Sequence, residues 1–151
     1  ELPRAVLMAG YKDTSSSDAV YMLDWYAYGI GKVPTKVATT YQNISDAWSL
    51  LIDQKWHDRI TAIKANDGGL SYVEFFEYRK NKMSIPLFNI YCATGSNREY
   101  YAERTDLIQL GQTTQAIYFA KLTNEGEQSE LALTGDEIKA RFSLVNQAWN
   151  N

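Results

Sequence analysis

A chain of 151 residues, 45% of them apolar, is long enough to bury a core without staples and has the make-up of one folded domain rather than a disordered segment. Its formal charge of −3 supplies no basic field, which argues against a nucleic-acid partner. A lone cysteine excludes an intrachain disulfide, and no stretch reaches the roughly 18 apolar residues of a membrane helix.

The chain starts at Glu1 without a methionine and reads as a processed or trimmed form, with a signal or anchor expected ahead of it. Ala5–Tyr11 (AVLMAGY) is a short apolar run, expected as a first or edge strand. The Ser-rich connector Thr14–Asp18 suits the cap of a helix beginning near Asp18. Ala19–Tyr28 fits two patterns. Val20, Leu23 and Tyr26 make a helical face, while the aromatic residues suit a strand. Gly29, Gly31 and Pro34 end it, and Val37–Tyr41 reads as a short strand. The sequon Asn43-Ile44-Ser45 carries no weight on its own.

Residues 44–63 also admit two readings. As a helix, Trp48, Leu51, Ile52, Lys55 and Trp56 form a stripe. As strands, Ala47–Ile52 and Arg59–Ala65 flank the polar turn Asp53-Gln54-Lys55, and the alternation of the second half favours a strand there. Asn66-Asp67-Gly68-Gly69 is a turn whose residues tolerate positive φ, so Ile60–Ala65 and Leu70–Tyr78 are expected as a hairpin. Arg79–Lys82 is a basic tip, read as a solvated turn rather than a contact patch for an acidic partner.

The chain is organised around Ile85–Leu122, in which two apolar runs, IPLFNIYCATG and LIQLGQTTQAIYFAKL, flank a short polar segment. Rich in aromatic and β-branched residues, they predict strands in the middle of a sheet, buried on both faces. Pro86 cannot donate a ladder bond and is expected at the start of its strand. Ser96-Asn97-Arg98-Glu99 fits a capping box, and a short helix Asn97–Arg104 would set Tyr100 beside Tyr101. Leu107–Leu110 and Gln115–Leu122 predict a hairpin turning at Gly111–Thr114. Thr134-Gly135-Asp136-Glu137 is a second capping box, and Ile138, Phe142, Val145 and Trp149 follow as the apolar stripe of a terminal helix laid against a sheet. The expected fold is a single α+β domain over 1–151. It holds a mostly antiparallel sheet of about five to seven strands, with a C-terminal helix packed on one face. Residues 1–46 would add an edge strand and a short helix.

No reactive constellation stands out. The sole histidine, His57, lies between Trp56 and Asp58, with no nucleophile motif to serve. Cys92 has no cation within five residues and reads as a buried small hydrophobe. One Cys and one His cannot make a zinc site, the 66–68 turn is too short for a calcium loop, and Gly29-Ile30-Gly31 lacks the third glycine of a dinucleotide fingerprint. Glu74 and Glu77 fall on opposite faces of a strand, and Glu99 and Glu103 sit beside Arg98 and Arg104 as surface ion pairs. The chain is therefore expected to have no catalytic residues, no metal and no cofactor. Two aromatic groups remain as candidate ligand-binding residues: Trp25 and Tyr28 next to glycines, and Tyr100 and Tyr101 with Arg104. The partner they suit is a protein or a glycan, and no residue pattern points to an oligomeric state.

From Ala47 to Trp149 the pieces AWSLLIDQKW, RITAIKA, LFNIYCATGSNREYYA, AIYFAKL and LTGDEIKARFSLVNQAW occur in an order that resembles uncharacterised secreted or lipoprotein domains of Gram-positive gut bacteria. The segment Leu87–Glu99, LF-x-IY-x-x-x-G-x-NRE, is the most specific part, with Gly95 and Asn97 in turn and cap positions. The chain departs from the pattern at Asp53-Gln54, where a proline usually precedes the Lys-Trp pair. The resemblance implies an extracytoplasmic location, secreted or lipid-anchored, and brings no activity with it. The leading expectation is a non-catalytic module that binds a protein or glycan or carries structure. The alternative is a small-ligand or enzymatic pocket of the nuclear-transport-factor-like or cystatin-like type, in which a long helix is cradled by a curved sheet. The two part at Asp46–Ile63: one continuous helix favours the pocket, a strand pair the module.

Overall fold

The computed structural model describes residues 2–7 and 20–145. Strands dominate it, as alternating apolar residues and turn signals predict, but they form two antiparallel sheets rather than one. The first runs in the spatial order β1 (Leu2–Leu7), β2 (Tyr21–Ala27), β3 (Thr35–Asn43), β4 (Trp48–Leu51) and β10 (Phe142–Leu144). The second runs β5 (Ile60–Asp67), β6 (Leu70–Arg79), β7 (Lys82–Thr94), β9 (Ala116–Leu122) and β8 (Ile108–Gln112). The reason lies in the alternation itself. Trp48 and Leu50 point one way from β4, and Val73 and Phe75 one way from β6, so each sheet has one apolar face and the two faces cover each other. Interior rings run from one sheet into the other: Trp48 to Tyr41 at 5.3 Å, Tyr41 to Phe75 at 5.6 Å, Phe75 to Phe88 at 4.8 Å, Phe88 to Trp56 at 5.7 Å. In broad terms the fold remains α+β: mostly antiparallel strands with a short C-terminal helix.

Residues 46–63 are neither one helix nor two paired strands. β4 pairs with β3 and β10, whereas β5 pairs with β6. Between them the chain crosses from one sheet to the other. The Asp53 side chain accepts from the Lys55 backbone N–H, Gln54–Trp56 forms one 3-10 turn, and Asp58 adopts a positive φ of 55°. Trp56 anchors the crossing: its ring is buried and its Nε1–H donates to the Leu131 carbonyl at 2.8 Å.

Residues 21–27 are strand and residue 20 is not helical, so the short helix expected near the N-terminus does not extend into them, and 8–19 lie outside the described residues. The hairpins of the second sheet form as expected: β5–β6 with Gly68 at φ 62° in its turn, β6–β7 with Lys80 and Asn81 at φ 50° and 61°, and β8–β9, whose pairing runs on to Gln112. β7 is the central strand, and β9 beside it is buried on both faces from Ala116 to Ala120. Pro86 is not at a strand start. It sits inside β7, opposite the bulge between Phe75 and Phe76, where a missing donor breaks no regular ladder.

Two helical expectations change. The Ser96 capping box does not form: Gly95, at φ 84°, precedes a 3-10 turn over Ser96–Arg98, and α1 covers only Glu99–Ala102, with no side-chain cap. A second short helix, α2 (Asn124–Glu127), is capped by Thr123. The Thr134 capping box is present in both directions, at 3.2 and 2.8 Å, and starts α3 (Gly135–Arg141). However, α3 ends there. Phe142 turns extended and enters β10, because the open edge of β4 offers ladder partners and Phe142 stacks on Trp48 at 5.8 Å. The apolar stripe is thus shared between helix and strand, and Trp149 lies outside the described residues. α3 touches β4 of one sheet and β8 and β9 of the other, so it closes the flank of the sandwich rather than lying on one sheet's face.

Candidate functional site

The five predicted binding residues fall into two places. Trp25, on β2, is half-buried and its indole N–H donates to Thr40 Oγ1 at 2.9 Å. Tyr28 follows it on the loop to β3 and is 59% exposed. Tyr100, Tyr101 and Arg104 lie on and just after α1, against β9 of the other sheet. The two groups therefore belong to different sheets and do not make one site. Arg104 is held by Asp106, Nε to Oδ1 at 2.8 Å with Nη2 on Oδ2. That hydrogen bond holds the Asp106 carboxyl below its ordinary range and raises the guanidinium.

Tyr101 closes a column of rings on the outer face of the second sheet. Tyr72 and Tyr91 stand 5.3 Å apart, Tyr91 and Phe119 4.9 Å apart within 10° of parallel, and Phe119 and Tyr101 5.2 Å apart. Cross-strand neighbours that stack this way present their edges outward and give their faces to one another. Tyr100 meets Tyr101 at 5.6 Å and 74°, a T-shaped contact, and is 64% exposed.

Sequence reasoning passed over the apolar tip of the β2–β3 hairpin. Ile30 is fully exposed and Val33 84% exposed, and with Tyr28 they cap a turn closed by the Lys32 N–H donating to the Gly29 carbonyl at 3.1 Å. The signal was available: two β-branched residues set between the breakers Gly29, Gly31 and Pro34 have no strand to belong to.

Beside that hairpin a cleft of about 620 Å³ opens between β3, β4 and the end of α3. Asp24 accepts from Thr39 Oγ1 at 2.6 Å and from Lys36 Nζ at 2.8 Å. Burial pushes this carboxyl up, but the bonds from Lys36 and Thr39 outweigh it, and the net shift is downward. Arg141 reaches Asp53 at 2.6 Å, and His57 stands at the rim, 71% exposed, with Nδ1 3.2 Å from Asp58. Each carboxylate here has a basic side chain beside it: Lys36 on Asp24, Arg141 on Asp53 and His57 on Asp58.

A separate polar knot joins the sheets. Asp46 accepts from Ser71 Oγ at 2.8 Å and Asn43 Nδ2 at 3.1 Å, and its backbone carbonyl accepts from the Tyr118 hydroxyl at 2.7 Å. Cys92 lies beside it, buried. Desolvation, with the Asp46 charge nearby, pushes its thiol up to about 11, and burial lifts Tyr118 to about 12. Cys92 lines this hollow and His57 the cleft, so the two do not meet. Among the described residues no three His, Cys, Asp or Glu side chains are grouped to hold a metal, no buried side-chain polar atom lacks a partner, and no helix is long and apolar enough to cross a membrane. No family model, curated protein or solved structure matches this chain.

Proposed function

We propose that the chain is a non-catalytic, extracytoplasmic binding module whose partner is a protein or a glycan. The observation that carries this reading is the β2–β3 tip: Tyr28, Ile30 and Val33 expose apolar surface within one short loop, and none of them is in the core formed by the described residues. Trp25 stands behind that tip, and Tyr100 offers a second exposed ring on the other sheet. No continuous helix forms over 46–63, so the helix-cradling pocket lacks the element it needs, although the strand pair expected of a module does not form there either. The extracytoplasmic location rests on the resemblance of Leu87–Glu99 to secreted and lipoprotein domains.

Co-sedimentation with insoluble polysaccharides, purified Gram-positive cell walls and immobilised mucin tests the reading. The chain is expected to be retained on at least one of these, and Ile30→Ser with Val33→Ser to lose retention without a change in melting temperature. Retention on none, or equal retention of the variant, refutes the tip as the binding element.

A further inference from the structure

We propose that the β2–β3 hairpin is a membrane-surface arm: its apex, Tyr28, Ile30 and Val33, enters the interfacial layer of an anionic phospholipid bilayer, with Lys32 at the level of the head groups. This goes beyond the module reading, which gives the same tip a protein or a glycan; a lipid surface is a third kind of partner, with a test of its own.

The hairpin stands clear of the sandwich. Every residue from Tyr28 to Val37 is exposed, although Thr35 and Lys36 are ladder residues paired with Ala27 and Tyr26. Successive strand residues point to opposite faces, so a strand laid on the core would hide every second one. Here both faces are wet, and exposure falls only from Ala38 onward. The register shift between Trp25 and Tyr26 lies at the base of this arm.

What the arm exposes is apolar. Among the described residues, four of the eight large apolar side chains that stand exposed are Tyr28, Ile30, Val33 and Val37, and Ile30 and Val33 are the two most exposed of all. They project from a tight turn and not from one flat face, so a rigid partner would need a socket that surrounds them. A fluid apolar layer closes around such a shape without one. Tyr28 brings a ring with a polar tip, the side chain that suits the boundary between hydrocarbon and water. Charge points the same way. No Asp or Glu occurs between Trp25 and Ser45, although the whole chain carries −3. Of the two lysines in that stretch, Lys36 is held by Asp24, while Lys32, at the apex, enters none of the ion pairs of the described residues. Anionic head groups therefore attract Lys32 and meet no carboxylate within the loop.

The full chain is mixed with vesicles of phosphatidylglycerol and phosphatidylcholine in equal parts, or of phosphatidylcholine alone, and bound protein is read by flotation. It is expected to float with the mixed vesicles and to bind phosphatidylcholine about fivefold more weakly, the effect of one lysine near an anionic surface. Lys32→Gln should bring binding to the mixed vesicles down to the phosphatidylcholine level. Ile30→Ser with Val33→Ser should abolish flotation at an unchanged melting temperature, since the apolar contact is then gone. Ile44→Ser, at a site 74% exposed beyond the other end of β3, should leave flotation intact. No flotation, equal flotation of the double serine variant, equal binding to both lipids, or a loss with Ile44→Ser overturns the proposal. Retention on polysaccharide, cell walls or mucin without flotation removes this inference and leaves the module reading; flotation without such retention does the reverse.

Discussion

The Tyr118 hydroxyl on β9 donates to the backbone carbonyl of Asp46, in the turn between β3 and β4, and so links the two sheets with one 2.7 Å bond. Tyr118→Phe keeps the ring in the core and removes only that donor. The half-buried carbonyl is then left short of a partner, and the expected loss is about 1–2 kcal/mol, read as a lower urea midpoint at unchanged slope. An unchanged midpoint would mean the linkage contributes nothing.

The same region predicts alkaline sensitivity. Cys92 is raised from 9.0 to about 11 and Tyr118 from 10.0 to about 12, so the unfolded chain releases these protons before the native one does. The native state then binds more protons than the unfolded state, and stability falls with rising pH. The contribution is fully present below pH 9 and is lost progressively up to about pH 12. Urea midpoints at pH 8 and pH 10.5 should differ in wild type, and the difference should shrink in Cys92→Ala. In native protein at pH 8 a thiol reagent should label Cys92 slowly, and rapidly in urea.

Two helix starts respond differently to alanine. Thr134→Ala removes one arm of a capping box and should lower stability by about 1 kcal/mol. Gly126→Ala in α2 ought to gain helix propensity, yet a Cβ there would sit 2.3 Å from the Leu87 carbonyl oxygen and 2.6 Å from Thr123 Oγ1. The backbone of β7 cannot yield as a side chain would, so a loss of about 1–3 kcal/mol is expected. Thermal melts of the two variants rank them; a stabilised Gly126→Ala would show that α2 shifts freely off β7.

Tyr100 and Tyr101 are neighbours with separate duties. Tyr101→Ala removes the end of the ring column against Phe119 and should cost about 2–3 kcal/mol, from lost apolar burial plus stacking. Tyr100→Ala, at a site 64% exposed, should leave the melting temperature within a degree or two of wild type. A large drop from Tyr100→Ala would reclassify that ring as structural and withdraw it from the binding surface.

How far the sequence carried follows from the range of each signal. Turns at Gly68 and at Lys80-Asn81, the central strand over Ser84–Thr94 and the Thr134 capping box were legible, because each depends on a few adjacent residues. Three things were not. The division into two sheets is decided by which strands pair, and Trp48–Leu51 and Ile60–Ala65 carry the same local pattern whether they join each other or separate. The end of α3 at Arg141 was hidden because Phe142 continues a helical stripe, while its partner Leu50 lies across most of the chain. The exposed apolar tip was the third: Ile30 and Val33 are ordinary core residue types, and only their placement outside the sandwich makes them notable.

The β10–β4 pairing has a consequence for how this protein folds. Residues 142–144 complete the first sheet, so the outer edge of β4 and one face of Trp48 stay uncovered until β10 docks. An unpaired strand edge beside an apolar face is a template for association with other nascent chains. Docking of Phe142 is thus the step that ends this exposure, and slower docking would lengthen the interval in which a holding chaperone is needed.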